Sequence, residues 1–352
     1  MSELDTRELN TMETDSELYR PVTIGSLTLP GNIFLAPVAG YSDRSFRSIC
    51  VDWGADFTYT EMVSSEAYIR NSAKTEKLIA RAHNERRYAV QIFGANPDFM
   101  AGTAVRIIER YRPECIDINA GCPMPKITKT GAGSALMRNP EKLYAVVKAV
   151  KEAIEQTGSA VPVTVKIRSG WSQMELTWKE AAAAAVEAGS VALTIHPRTC
   201  AQCYSGTADW DITAQLVRMM QGRIPVFGSG DLFSPQAARD MLASTGCAGV
   251  MFARGAMGNP FIFRQMRELL QTGLYSEITP ADKIRTAKKE LALLCEEIGE
   301  RTACREMRKR FAAYTKGIAG GAKLREQLVQ ASSIQDYETI LEDYFASGAA
   351  AY

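Results

Sequence analysis

Long hydrophobic runs are missing from this chain. No apolar stretch approaches the ~20 residues that a membrane span requires. The first twenty residues, Met1 to Arg20, are polar and acidic and lack the apolar centre of a signal peptide. They are predicted to form a flexible extension over residues 1–20, a tail or a loosely docked arm. A charge excess is missing too. Lys and Arg number 41 against 40 Asp and Glu, a formal net charge of +1. Whole-chain charge therefore does not argue for nucleic acid, and any basic surface must be local. There is no Gly-x-Gly-x-x-Gly after a first strand and no Gly-Lys-Ser/Thr loop, which disfavours a Rossmann domain or a nucleotide-triphosphate engine. Cys200-Ala201-Gln202-Cys203 is a C-x-x-C pair without a second pair, and Cys295 and Cys304 do not replace one. No metal site is expected. The eight cysteines are scattered, mostly in apolar patterns. In a chain long enough to build a core without staples, this points to a reducing, cytoplasmic compartment. Repeats of short period and low-complexity segments are absent as well.

What is present is an ordinary globular composition, 46% hydrophobic and 23% charged over 352 residues. That length suits an α/β barrel of ~250 residues with an appendix. Eight short apolar runs alternate with helical segments: Ile33–Ala36, Phe57–Thr60, Tyr88–Phe93, Cys115–Asn119, Val161–Arg168, Val191–Ile195, Ile224–Phe227 and Ala248–Phe252. The pattern predicts a (β/α)8 TIM barrel. A doubly wound sheet gives a similar alternation. The barrel is favoured because Pro37, Gln91, Asn119, Lys166, His196, Gly228 and Arg254 all fall at or just past strand ends. A closed barrel would bring them to one mouth. After Tyr275 the alternation stops, and Pro280 to Tyr344 reads as helix. The expected domains are a barrel over 21–275 and a helical domain over 276–352. The middle of the latter is basic, with Arg301, Arg305, Arg308 and Lys309 spaced along one predicted helix.

The chemistry centres on Asp117-Ile118-Asn119-Ala120-Gly121-Cys122-Pro123, a strand that breaks at once into Gly and Pro. Such a loop presents the Cys122 thiol at the strand's carboxyl end, as a nucleophile or as a proton donor. Lys166 lies on a strand that should be buried, where lysine is rare unless paired. Gln91, Lys166 and His196 together offer hydrogen-bond donors to a flat polar heterocycle. The loops Gly228-Ser229-Gly230-Asp231 and Ala253-Arg254-Gly255 follow the seventh and eighth strands, the usual phosphate position in barrels.

These residues also carry a resemblance. Ala36-Pro37-Val38-Ala39-Gly40 with Asp43 and Arg47, Asn119-Ala120-Gly121-Cys122-Pro123, Val165-Lys166-Ile167-Arg168-Ser169-Gly170-Trp171, Thr194-Ile195-His196-Pro197-Arg198-Thr199 and Gly230-Asp231 occur in that order. The chain resembles the tRNA-dihydrouridine synthases, nearest their bacterial B-type branch, from about Ile24 to about Tyr344. The resemblance implies an FMN-containing barrel with a C-terminal helical domain, reducing the C5–C6 double bond of selected tRNA uridines with NADPH. Pro37, Val38, Ala39, Gln91, Lys166, His196, Ser229, Gly230, Asp231, Ala253 and Arg254 would hold FMN. Cys122 would be the general acid and Asn119 would help to position the uracil. The basic run itself, with few acids near it, leads to the expectation that Arg301, Arg305, Arg308 and Lys309 grip the RNA backbone, and Arg198 is expected to join them in contacting RNA. The chain departs from the family pattern at Val38, Ser229 and Ala253, where Met, Asn and Gly are usual. The alternatives are the same chemistry on ribosomal RNA, a flavin-barrel reductase or dehydrogenase of free pyrimidines, and a non-catalytic RNA-binding module.

Overall fold

The computed structural model describes residues 15–347, with backbone alone at residues 73 and 74. Eight parallel strands close into a barrel, each pairing with the next and the eighth with the first. In order they are Ile33–Leu35, Phe57–Tyr59, Tyr88–Phe93, Cys115–Ala120, Val163–Gly170, Leu193–Thr199, Val226–Gly228 and Gly249–Phe252. The predicted barrel is therefore observed. Two strands extend two or more residues past their apolar runs, to Gly170 and Thr199. There the polar residues remain paired, Arg168 opposite His196 and Gly170 opposite Thr199.

Strand alternation decides what enters the barrel. Ile116, Ile118, Val163, Val165, Ile167, Leu193 and Ile195 point outward into a core shared with the surrounding helices. Their neighbours Asp117, Asn119, Thr164, Lys166, Thr194 and His196 therefore point inward. The interior has two levels. At the amino end, Phe34 meets Phe57 and Phe227 edge-on, with ring centroids 5.9 and 5.0 Å apart. A hairpin of Val22–Ile24 and Leu27–Leu29 closes that end, its Val22, Ile24 and Leu29 buried against these rings. The polar level lies above, so the only opening left for it is toward the carboxyl ends of the strands.

Of the extension expected over 1–20, residues 1–14 lie outside the described residues. Residues 15–20 are docked: Leu18 and Tyr19 pack against the barrel, and the Tyr19 hydroxyl donates to Asp56 at 3.0 Å. Within the expected helical domain, helices span Pro280–Ile298, Glu300–Tyr314, Gly321–Leu328 and Ile334–Ala346. Residues 348–352 lie outside the described residues. The first of these helices starts with a capping box, Thr279 and Asp282 satisfying each other's backbone N–H around Pro280. No helix among the described residues is long and apolar enough to cross a membrane.

The helices are joined to the barrel by more than apolar contact. Arg310 is almost fully buried and pairs with two carboxylates, Glu290 of its own bundle and Asp43 of the barrel. Asp43 also caps the helix Arg44–Asp52 by accepting from the Phe46 N–H. Lys289 pairs with Asp52 at 2.7 Å, and Ser45 donates to Glu297 at 2.9 Å. Trp53, Phe261 and Tyr314 pack edge-on across the same seam.

Candidate active site

A cavity of about 370 Å³ occupies the barrel mouth. Every residue expected to touch the cofactor lines it: Pro37, Val38 and Ala39 from the first loop, Gln91 from the third strand, Lys166 and His196 from the fifth and sixth, Ser229, Gly230 and Asp231 from the seventh loop, Ala253 and Arg254 from the eighth. Asn119 and Cys122 line it too. What unites them is position along the strand, since residues far apart in sequence reach one level when the sheet closes.

The Cys122 loop is held from both sides. Asn119 Oδ1 accepts from the N–H groups of Gly121 and Cys122 at 3.1 and 2.8 Å. The Cys122 carbonyl accepts from Ser134 twice, from its N–H at 3.0 Å and its hydroxyl at 2.9 Å. Gly133 makes that approach feasible: its φ is +61°, and a Cβ there would lie 2.7 Å from the Cys122 oxygen. Cys122 is 9% exposed, and burial raises its thiol above the ordinary value. At neutral pH it carries its proton. The arrangement suits a proton donor better than a thiolate nucleophile.

The cavity floor is polar and positively charged. Lys166 is half-buried, without a salt-bridge partner among the described residues. Burial, then Arg168, lowers it to about 8, against the opposing pull of Asp117. His196 is pushed down to about 2, by burial first and then by Lys166 and Arg168, so it is neutral at any working pH. Its Nε2 lies 3.3 Å from Arg198 Nη1. Arginine only donates, so Nε2 accepts and the proton sits on Nδ1.

Some expectations change at this level of detail. Gln91 has less to offer the cavity than expected: its Nε2 donates to Asp117 at 2.7 Å and its carbonyl oxygen accepts from Asn119 at 2.8 Å, which leaves one N–H and one carbonyl lone pair. Ser229 lines the cavity, but its hydroxyl donates to the Met251 carbonyl at 2.9 Å and its N–H to Ile195 at 3.0 Å. Neither can donate to a phosphate. Beside Ser229 lie the turn at Gly230 and Asp231, where both φ angles are positive, +110° and +58°, and the start of the short helix Arg254–Ala256. The Asp231 carboxylate is itself occupied, accepting from Arg198 and from the Ala208 N–H, each at 2.8 Å.

Arg198 is corrected more sharply. It is 2% exposed and donates to the carbonyls of Ser205 and Gly206 as well as to Asp231. It ties the loop after the sixth strand to the loop after the seventh, and RNA cannot reach it. In the helical domain Arg301 and Arg305 are exposed. Arg308 donates instead to the Ala331 and Gln330 carbonyls, and Lys309 donates to Gly40 at 3.0 Å and pairs with Glu306. A free basic face thus rests on Arg301 and Arg305.

Two residues were not singled out from sequence. Arg168 lines the cavity and bridges Gly121, Thr199 and Cys203 through their carbonyls. Asp117 lies beneath it, 1% exposed, between Gln91 and Thr164. The signal for both was strand alternation, which places charges at inward positions. The C-x-x-C pair lies beside the site, with the Cys200 thiol 3.7 Å from the Pro123 carbonyl.

Known proteins place this geometry. The family described as dihydrouridine synthase (Dus) matches residues 34–349. A probable tRNA-dihydrouridine synthase of Treponema pallidum is 60% identical over 328 residues, 93% of this chain and 96% of its own length. The tRNA-dihydrouridine synthase B of Pseudomonas aeruginosa is 37% identical over 308 residues, covering 87% and 90%. Among solved structures, a histamine dehydrogenase from Rhizobium sp. 4-9 aligns with a TM-score of 0.53 at 14% identity, over 79% of this chain and 51% of that one. A 2-naphthoyl-CoA reductase aligns with 0.56 at 11%, over 72% and 52%. The chain spans about half the length of both, and at such identities they report the fold alone. Sequence likeness over nearly the full length, together with a cysteine held at a barrel mouth, makes this chain a member of the dihydrouridine synthase family of oxidoreductases.

Proposed function

We propose that the protein reduces the C5–C6 double bond of specific uridines in tRNA to dihydrouridine, with FMN in the barrel mouth, NADPH as reductant and Cys122 as general acid. The observation that carries this reading is Cys122 itself, a protonated thiol fixed through its own backbone at the rim of a cavity with a cationic floor.

The residues fit a flavin. Pro37, Val38 and Ala39 supply an apolar wall. Lys166 has donors without a partner among the described residues, Gln91 keeps a second N–H and the second lone pair of its carbonyl, and His196 has an Nδ1 proton, three groups suited to the polar edge of a heterocycle. Gly230, Asp231, Ala253 and Arg254 would meet the phosphate with backbone N–H groups and one guanidinium. When bound, FMN supplies the hydride that uracil C6 takes up, and NADPH restores it. Cys122 delivers its proton to C5, which balances the reduction as one hydride and one proton across the double bond. Lys166 offsets negative charge that develops in a partly dry site. Asn119 holds the Cys122 backbone and so sets where the thiol reaches. The target base has to leave its stack to enter the mouth, at a cost of a few kcal/mol. Arg301 and Arg305 would orient the RNA by its phosphates while the mouth selects the base. A cytoplasmic setting goes with tRNA and with eight free cysteines.

The test is to release and identify the flavin, then incubate the protein with NADPH and unmodified tRNA, rRNA or free uracil and map the product. Dihydrouridine at defined tRNA positions is expected. Product only in rRNA or only from the free base would overturn the substrate assignment, and a protein that takes up no FMN would overturn the chemistry.

A further inference from the structure

A buried carboxylate that plays no direct part in the proposed reaction is connected, through two amides, to the loop that does. Asp117 is on the fourth strand, two residues before Asn119, with both of its oxygens occupied. Thr164 donates to Oδ1 at 2.6 Å, and Gln91 Nε2 donates to Oδ2 at 2.7 Å. Gln91 Oε1 then accepts from Asn119 Nδ2 at 2.8 Å. Asn119 Oδ1 in turn accepts from the N–H groups of Gly121 and Cys122.

We infer that Asp117 is a positioning residue for Cys122, acting through the amides of Gln91 and Asn119, whose direction it dictates. The argument is one of polarity. Burial raises Asp117 to about 6, so at neutral pH it is ionised; both oxygens then only accept, and Gln91 must turn its NH2 group toward it. That leaves the Gln91 carbonyl facing Asn119, which must donate. Only then does Asn119 present its carbonyl to the two loop N–H groups. Reverse the first link and the last becomes donor against donor, an unsatisfied contact in a dry place. Gln91 and Asp117 are each 1% exposed, so no solvent is at hand to mend it. Register builds the chain of contacts: Gln91 stands opposite Asp117 across the third and fourth strands, and Asp117 opposite Thr164 across the fourth and fifth.

The inference rests on the proposed function only for what the thiol does. Its position can be read without RNA or NADPH, so the two ideas fail separately. The probe is iodoacetamide, with alkylation of Cys122 in the purified protein followed by peptide mass spectrometry. Gln91→Glu sets acceptor against acceptor at Asp117, so the side chain at position 91 is driven from its place and the Asn119 amide loses its fixed partner; this should loosen the loop and raise Cys122 alkylation about tenfold, the factor one charge-assisted hydrogen bond carries. Combining it with Asp117→Asn restores a donor: the new amide gives its NH2 to position 91, accepts from Thr164, and leaves position 91 a second oxygen for Asn119. The double exchange should return alkylation to within about twofold of the wild type. Melting temperatures of both variants are measured alongside, because a merely structural role would make alkylation track stability. A double exchange that stays as reactive as Gln91→Glu, or a Gln91→Glu protein no more reactive than the wild type, overturns the inference. Should Gln91→Glu alone not fold, the double exchange still decides: slow alkylation supports the relay and fast alkylation overturns it.

Discussion

Gly133→Ala moves Cys122 without altering its thiol. The glycine sits at φ +61°, and the added methyl would lie 2.7 Å from the Cys122 carbonyl oxygen and 3.1 Å from its Cβ. Neither neighbour is the end of a flexible side chain, so the loop itself must shift. A left-handed alanine costs ~1–2 kcal/mol. The shift also disturbs both Ser134 hydrogen bonds to that carbonyl, worth ~0.5–1.5 kcal/mol each. The total is roughly 2–5 kcal/mol of stability. Displacing a reacting group by ~1 Å costs on the order of 10²-fold in rate. Gly131→Ala is the matched control. Its φ is +80°, but its methyl would meet the mobile end of Lys142 at 3.2 Å and Ala95 Cβ at an ordinary contact distance of 3.6 Å. It should lose the backbone term alone and keep its rate. Denaturant unfolding gives the first quantity and single-turnover dihydrouridine formation the second, with flavin reduction by NADPH as the internal reference. Wild-type product formation by Gly133→Ala, or equal damage in Gly131→Ala, would refute the reasoning.

Cys122→Ala should retain flavin and its reduction by NADPH but form product ~10²–10⁴-fold more slowly; near-normal single turnover would show that another group supplies the proton. Arg301→Glu with Arg305→Glu should weaken tRNA binding and flatten its salt dependence, each lost phosphate contact removing ~0.7–0.9 from the log–log slope. An unchanged slope would move the RNA surface elsewhere. His196 has a pH signature of definite sign. Its folded value of about 2 lies below the ~6.5 of a free imidazole. Its contribution is therefore complete above pH ~6.5 and is lost as pH falls toward about 2, because only the unfolded chain takes up the proton. His196→Asn should flatten the dependence of the denaturant midpoint between pH ~6 and ~4.5 by up to ~1.4 kcal/mol per unit, and an unchanged slope would count against a buried neutral imidazole.

The barrel was legible because its strands are apolar, short and regularly interrupted, and because polar residues mark where each one ends. Lys166 was found because lysine is rare on a buried strand, and His196 because it stands at a strand end. Pairing between strands is another matter. That Gln91 gives its NH2 to Asp117 depends on a register that no single segment encodes. Arg198 was misread for a related reason. Its motif places it near the mouth, but the segment around Ser205 and Gly206 folds back over it, and only the assembled loops reveal that. The basic run 301–310 shows the limit of composition. Arg301 and Arg305 face solvent, whereas Arg310, in the same run, is buried in two ion pairs.

Arg310 bears on how this molecule can be divided. The carboxylate that caps the helix Arg44–Asp52 belongs by sequence to the barrel, but its charge is balanced from the helical bundle. Cutting the chain near residue 276 would not yield a smaller barrel with its RNA handle removed. It would yield one whose first loop, lining the cavity through Pro37, Val38 and Ala39, has lost its anchor at Asp43 and at Gly40. A bundle grafted from a relative to redirect RNA choice would meet the same constraint from the other side. It would have to bring a cation for Asp43, or leave its own buried Glu290 equivalent uncompensated. Exchange of RNA specificity between such enzymes would therefore be an exchange of matched seams, with residues 40–52 travelling alongside the helices proposed to meet the RNA.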